Sequence, residues 1–98
     1  MAKFQDLINQ NTPVFVDFKA EWCAPCKMMT PILKEVKQHF GNRIKIIKID
    51  IDKNPDVARK YQIRAVPTGM LFKNGQALWR QSGVLPANQL IQILSQYV

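Results

Sequence analysis

"VFVDFKAEWCAPCK", residues 14–27, joins a short run of β-forming residues to the only two cysteines in the chain. The first five residues are too few for a helix and carry a single polar side chain, Asp17, so they read as a strand buried on both faces. Just beyond the cysteines, Met29, Ile32, Leu33, Val36 and Phe40 recur at intervals of three and four, with Lys27, Lys34 and Lys37 mostly on the other side. That period predicts a long amphipathic helix ending at Gly41. A central strand feeding a helix puts both thiols at the carboxyl end of a sheet, where open α/β sheets carry their chemistry.

The flanking sequence agrees with such a sheet. Phe4, Leu7 and Ile8 have helical spacing and "QNTP" stops them, which predicts a short opening helix. "IKIIKIDID", residues 44–52, reads as a second strand, and "NPDVARKY" as a helix capped by Asn54 with Pro55 at its first position. "TGMLFKNGQALWRQ", residues 68–81, is a hairpin turning on Asn-Gly, the pair that tolerates two positive backbone angles. Leu90, Ile91, Leu94 and Tyr97 mark a closing helix after Pro86. The expected fold class is α/β: one domain over residues 1–98, with a mixed sheet of about four strands, helices on both faces and an antiparallel edge from the hairpin.

Composition narrows the function classes. With 98 residues, 47% hydrophobic and 21% charged, the chain suits one core, and it holds no apolar run of membrane-spanning length. "MAKFQDLINQ" lacks the apolar stretch of an export signal, so the expectation is a soluble, cytoplasmic protein. The net charge of +7 favours acidic partners, yet the lysines and arginines are spread along the chain without interleaved aromatics. Nucleic-acid binding is therefore not expected, and neither is membrane attachment.

Two cysteines three positions apart suit a metal clip, a structural staple or a redox couple. A zinc site needs three or four ligands, and beyond the cysteines only His39 is on offer. A staple around so short a loop restrains the unfolded chain little and is out of place in a reducing compartment. The redox couple remains. A disulfide wants its Cβ atoms closer than residues i and i+3 of a helix bring them, so Cys23 should lie just before the first turn with Cys26 inside it. There the free N–H groups, the helix dipole and Lys27 favour a thiolate at Cys23. Pro25 costs no hydrogen bond in a first turn, and Ala24 is small enough to leave the Cys23 sulfur open to a bulky partner.

These motifs resemble the thioredoxin family: "VDFKAEWCAPCK" its active-site strand and loop, "IDKNPDVARKYQIRAVPT" the approach to its cis-proline loop, "LFKNG" and "SGVLP" its closing hairpin and exit. The likeness covers most of the chain in the same order. It implies a protein-disulfide reductase in which Cys23 attacks and Cys26 resolves. Asp17 resembles the buried carboxylate that moves a proton for the resolving thiol, and burial in an apolar strand should raise its pKa. Lys48 resembles the lysine facing that carboxylate. Val66 and Pro67 look like the cis-proline loop, whose exposed backbone would let a substrate segment add alongside. Trp22 resembles the aromatic that shields the thiols, Gly83 a glycine kept bare for the partner, and Pro31 a helix-kinking proline. Ala24 and Pro25 complete the substrate-facing loop.

The resemblance further implies a monomer with no metal or organic cofactor, served by thioredoxin reductase and acting on disulfide-containing proteins. Three departures stand out. Ala24 replaces a usual glycine, Lys19 stands where tryptophan is common and could perturb Asp17 or Cys23, and the expectation is a sheet without the family's short first strand. Two rival readings are a disulfide oxidant or isomerase of the same fold, against which the lack of His between the cysteines argues, and a binding module that does not need its thiols.

Overall fold

The structure, a computed structural model, describes residues 3–98. Its elements run α1 (Phe4–Ile8), β1 (Val14–Lys19), α2 (Ala24–Phe40), a 3₁₀ turn (Gly41–Arg43), β2 (Lys45–Asp50), α3 (Pro55–Lys60), β3 (Thr68–Lys73), β4 (Gln76–Ser82) and α4 (Ala87–Leu94). The four strands form one sheet in the order β2-β1-β3-β4. β1 runs parallel to β2 and antiparallel to β3, which is antiparallel to β4. The long crossover through α2 imposes the parallel pair, and the tight hairpin the antiparallel one.

Each face of the sheet has its own apolar cluster. Phe15 and Leu71 pack against Met29, Leu33 and Val36 of α2 and Leu90 and Leu94 of α4. On the opposite face Val14, Val16, Phe18, Met70 and Phe72 pack with Phe4 and Ile8 of α1, and Val57 of α3 closes over them. This is why "VFVDF" has no polar period: the alternating residues of β1 enter two cores rather than one core and solvent.

Several expectations shift by a residue or more. The second strand ends at Asp50, because the Asp50 carboxylate accepts from the backbone N–H groups of Asp52 and Lys53 and folds the chain into a turn. Asn54 does precede α3, yet its side chain caps nothing; its amide donates to the Asp50 carbonyl at 3.0 Å. Tyr97 lies beyond α4 and still packs on the core cluster. The Asn74-Gly75 turn has φ of 51° and 80°, as a two-residue hairpin of this type requires. Gly41 closes α2 with φ of 58°.

Candidate active site

Cys23 is the N-cap residue of α2, and its sulfur accepts the backbone N–H of Cys26 at 3.2 Å. Ala24 and Pro25 fill the first two helical positions, where a missing N–H leaves no bond unmade. With Cys23 outside the helix the two Cα atoms lie 5.3 Å apart, and the cysteines form a disulfide. The bond is asymmetric in its surroundings. Helix-end N–H donation reaches the Cys23 sulfur, an arrangement that favours negative charge at that atom.

The open sulfur expected at Cys23 is not what the structure shows. Cys23 is 4% exposed and Cys26 5%, because Ala20, Ile51 and Val66 pack around both. Ala24 is itself exposed, but Val66 stands against the sulfur, its carbonyl oxygen 3.6 Å from the Cys23 sulfur. A disulfide sulfur has no hydrogen to donate, so in this oxidised state the approach is a contact.

The Val66–Pro67 peptide bond is cis. Three hydrogen bonds fix the loop from behind: Gly83 N–H donates to the Pro67 carbonyl at 2.8 Å, and the Thr68 hydroxyl bonds the Ala65 carbonyl at 2.6 Å and the Ser82 hydroxyl at 2.8 Å. Gly83 adopts φ of 94°, a conformation side chains disfavour, although a Cβ there would touch nothing within 4 Å. Its backbone angle therefore demands glycine in this chain whatever a partner needs. Trp22 is far more exposed than an ordinary half-buried tryptophan. It is 70% exposed, its indole N–H held by the Asp52 carboxylate at 2.9 Å.

On β1, Asp17 is 2% exposed and its Oδ1 has no hydrogen-bond partner among the described residues. Burial pushes its carboxyl up to about 6, against the opposing pull of Lys48 and Lys19. Lys48 stands directly across in the β1–β2 register, but it is exposed and its ammonium reaches Thr30 Oγ1 at 3.5 Å rather than the carboxylate. Lys19 pairs with Glu21 at 3.0 Å, and that hydrogen bond holds its own pKa above the ordinary lysine value. Lys19, Glu21, Cys26, Lys27, Thr30 and Lys48 border a cleft of about 110 Å³ beside the resolving cysteine. Pro31 lies within α2, where it removes one helical hydrogen bond.

The fold thus brings Cys23, Cys26, Val66, Pro67 and Gly83 to one end of the sheet. Asp52, Thr68 and Ile51 share that surround and were not among the sequence candidates. Thr68 could have been suspected from its place directly after Pro67; Asp52 gives no signal, being thirty residues from the tryptophan it holds. Among the described residues no group of three or more His, Cys, Asp or Glu side chains is arranged to hold a metal, and no helix is long and apolar enough to cross a membrane.

Known proteins match this arrangement. The thioredoxin family model matches residues 1–96. Thioredoxin Y, chloroplastic, of Oryza sativa subsp. japonica is 49% identical over 92 residues, covering 93% of this chain and 55% of its own length. A thioredoxin-like protein of Synechocystis is 52% identical over 98 residues, covering 99% and 93%. The oxidised form of mitochondrial thioredoxin 3 from Saccharomyces cerevisiae superposes with a TM-score of 0.83 at 37% identity, over 94% of this chain and 86% of that one. The chain spans only about half of the rice relative. With a matched family model over nearly its whole length, a cis-proline loop against a helix-capping Cys-x-x-Cys pair and a four-stranded mixed sheet, the chain belongs to the thioredoxin family.

Proposed function

We propose that this chain is a thiol-disulfide oxidoreductase that reduces disulfides in other proteins. The observation that carries the reading is the Cys26 N–H on the Cys23 sulfur at the start of α2, which singles out one thiol of a reversible pair. In the proposed cycle the Cys23 thiolate attacks one sulfur of a substrate disulfide, the substrate's other sulfur leaves and takes a proton, and a mixed disulfide forms. Asp17 accepts the Cys26 proton through a water molecule. The Cys26 thiolate then attacks the Cys23 sulfur and expels the second substrate thiolate. Two electrons pass to the substrate, and Cys23 and Cys26 are left joined.

Low exposure of the pair confines this exchange to partners that dock. The exposed Trp22, Met28, Ala24, Pro25 and Gly83, with the half-buried Val66 preceding the buried Pro67, are the residues along which a substrate segment would lie. Lys48 acts on Asp17 at a distance, helping it give the proton up again. Electrons return from thioredoxin reductase, and no resident metal or organic cofactor takes part. Such chemistry requires a reducing compartment. The cytoplasm is the one we propose, while the rice relative's name places that protein in the chloroplast; fractionation of the source cells decides between them.

The test is an NADPH-coupled protein-disulfide reduction assay with a generic thioredoxin reductase, with the redox potential measured on the same sample. Cys23→Ser should abolish turnover and Cys26→Ser should accumulate a covalent substrate complex. A potential well above that of the glutathione pool would make the protein an oxidant instead. Partner capture undiminished in a double Cys-to-Ala variant, with no turnover in the parent, would make it a binding module.

A further inference from the structure

Lys19, Lys27 and Lys48 are far apart in sequence, yet all three border the cleft beside Cys26. Glu21 is the one carboxylate on that border. Lys27 and Lys48 form no ion pair with a carboxylate among the described residues, and Lys19 is held only by Glu21. That pair is weakly committed: the Glu21 side chain is 73% exposed, and exposed ion pairs contribute little because water competes with both partners. The cleft is therefore a positively charged recess whose one bordering carboxylate among the described residues can swing away, while the buried Asp17 and Asp50 act on its lysines only from a distance. Its volume of about 110 Å³ has room for a carboxylate with its water.

We propose that this cleft is a docking subsite for acidic residues flanking the target disulfide of a substrate protein, with an incoming carboxylate replacing Glu21 at Lys19. The inference rests on the disulfide-reductase reading above. Reach supports it: Cys26, which borders the cleft, has its Cα 5.3 Å from that of Cys23, and two residues of extended chain span about 7 Å. A substrate joined to Cys23 thus has its next one or two residues within reach of the cleft edge at Cys26. The chain's net charge of +7 draws acidic partners from further away, and the cleft gives that attraction a place beside the reacting sulfur.

The experiment uses the full chain, reduced beforehand, in single turnovers with two synthetic disulfide peptides that differ only in flanking Glu against Gln. The readout is the ratio of their rate constants, in which any common change in thiolate reactivity cancels. The parent should favour the acidic peptide about two- to fivefold at low ionic strength, falling toward parity at roughly 0.5 M salt. Lys27→Glu should bring the ratio to one or below, and Glu21→Gln, at an exposed position, should raise it. A parent ratio of one, or a ratio that neither substitution moves, overturns the proposal. If neither peptide is reduced by the parent, the reductase reading falls as well, and the Gln peptide alone reports that.

Discussion

Asp17 lies between Val16 and Phe18 in a strand with no solvent-facing side, and burial raises its carboxyl from 3.8 to about 6. A raised carboxyl pKa means the native chain holds the proton more tightly than the unfolded one. The charged carboxylate therefore destabilises the fold: not at all below about pH 4, increasingly from pH 4 to 6, and fully above it. Two pKa units at about 1.4 kcal/mol each set the scale, so Asp17→Asn should gain up to about 3 kcal/mol over the parent at pH 8 and nothing near pH 4. Urea unfolding at the two pH values checks this, and an equal offset at both would defeat the desolvation account. The same residue should shape activity, with Asp17→Asn slowing resolution of the mixed disulfide while leaving its formation intact. For the cysteines, exposures of 4% and 5% do not separate the thiols, but the N-cap hydrogen bond does. After reduction, iodoacetamide at pH 7 should label Cys23 at least tenfold faster than Cys26, and mass spectrometry would show equal labelling if helix capping were unimportant. Sequence could pick out Asp17 because one carboxylate interrupted an apolar run. It could not show Cys23 walled in, since Val66 comes 43 residues later and only the folded loop sets its carbonyl against the sulfur.

At the scale of elements, β1 carries the site and β3 supports it from behind. Gly69 on β3 is the register partner of Asp17, and a Cβ there would come within 2.6 Å of the Phe15 ring. Phe15 is 1% exposed and packed against Trp79 at 6.1 Å between ring centres, so its ring can shift only into the narrow gap it shares with Trp79 and Leu90. Gly69→Ala should cost about 1 to 3 kcal/mol, seen as a lower urea midpoint at unchanged slope. An unchanged midpoint would mean that the core yields more easily than its packing suggests. This glycine was not singled out in the sequence, because nothing local marks a steric clash with a residue 54 positions earlier. Elements were legible where local rules decide them, as in the 3–4 spacing of α2 and the Asn74-Gly75 turn. They were misjudged where side chains found other partners: Asn54 offered a helix cap in sequence, but in the fold the Asp50 carbonyl takes its amide.

At the scale of the molecule, the sheet leaves two edges, β2 and β4, and how they avoid pairing with another chain decides the oligomeric state. Open edges invite strand addition unless charge or twist opposes it. β2 carries exposed lysines at 45 and 48, and β4 has a register shift opposite Leu71 and Phe72 and an exposed Arg80 whose guanidinium is bound to the Tyr61 and Gln62 carbonyls. On β2 two-fold antiparallel pairing must centre on a residue, and centring on Lys48 would set two ammonium groups against each other. Centring on Ile47 instead would lay Lys48 over the half-buried Ile46, stripping water from a charge without pairing it. The parent should therefore sediment as a monomer at tens of micromolar. Lys45→Thr combined with Lys48→Val removes both obstacles and leaves Ile46, Ile47 and Ile49 on a β-prone edge, so this variant should associate in a concentration-dependent way. Sedimentation velocity on both proteins decides the matter: a parent that dimerises, or a variant that stays monomeric at every concentration, would show that something other than edge charge keeps the sheet closed.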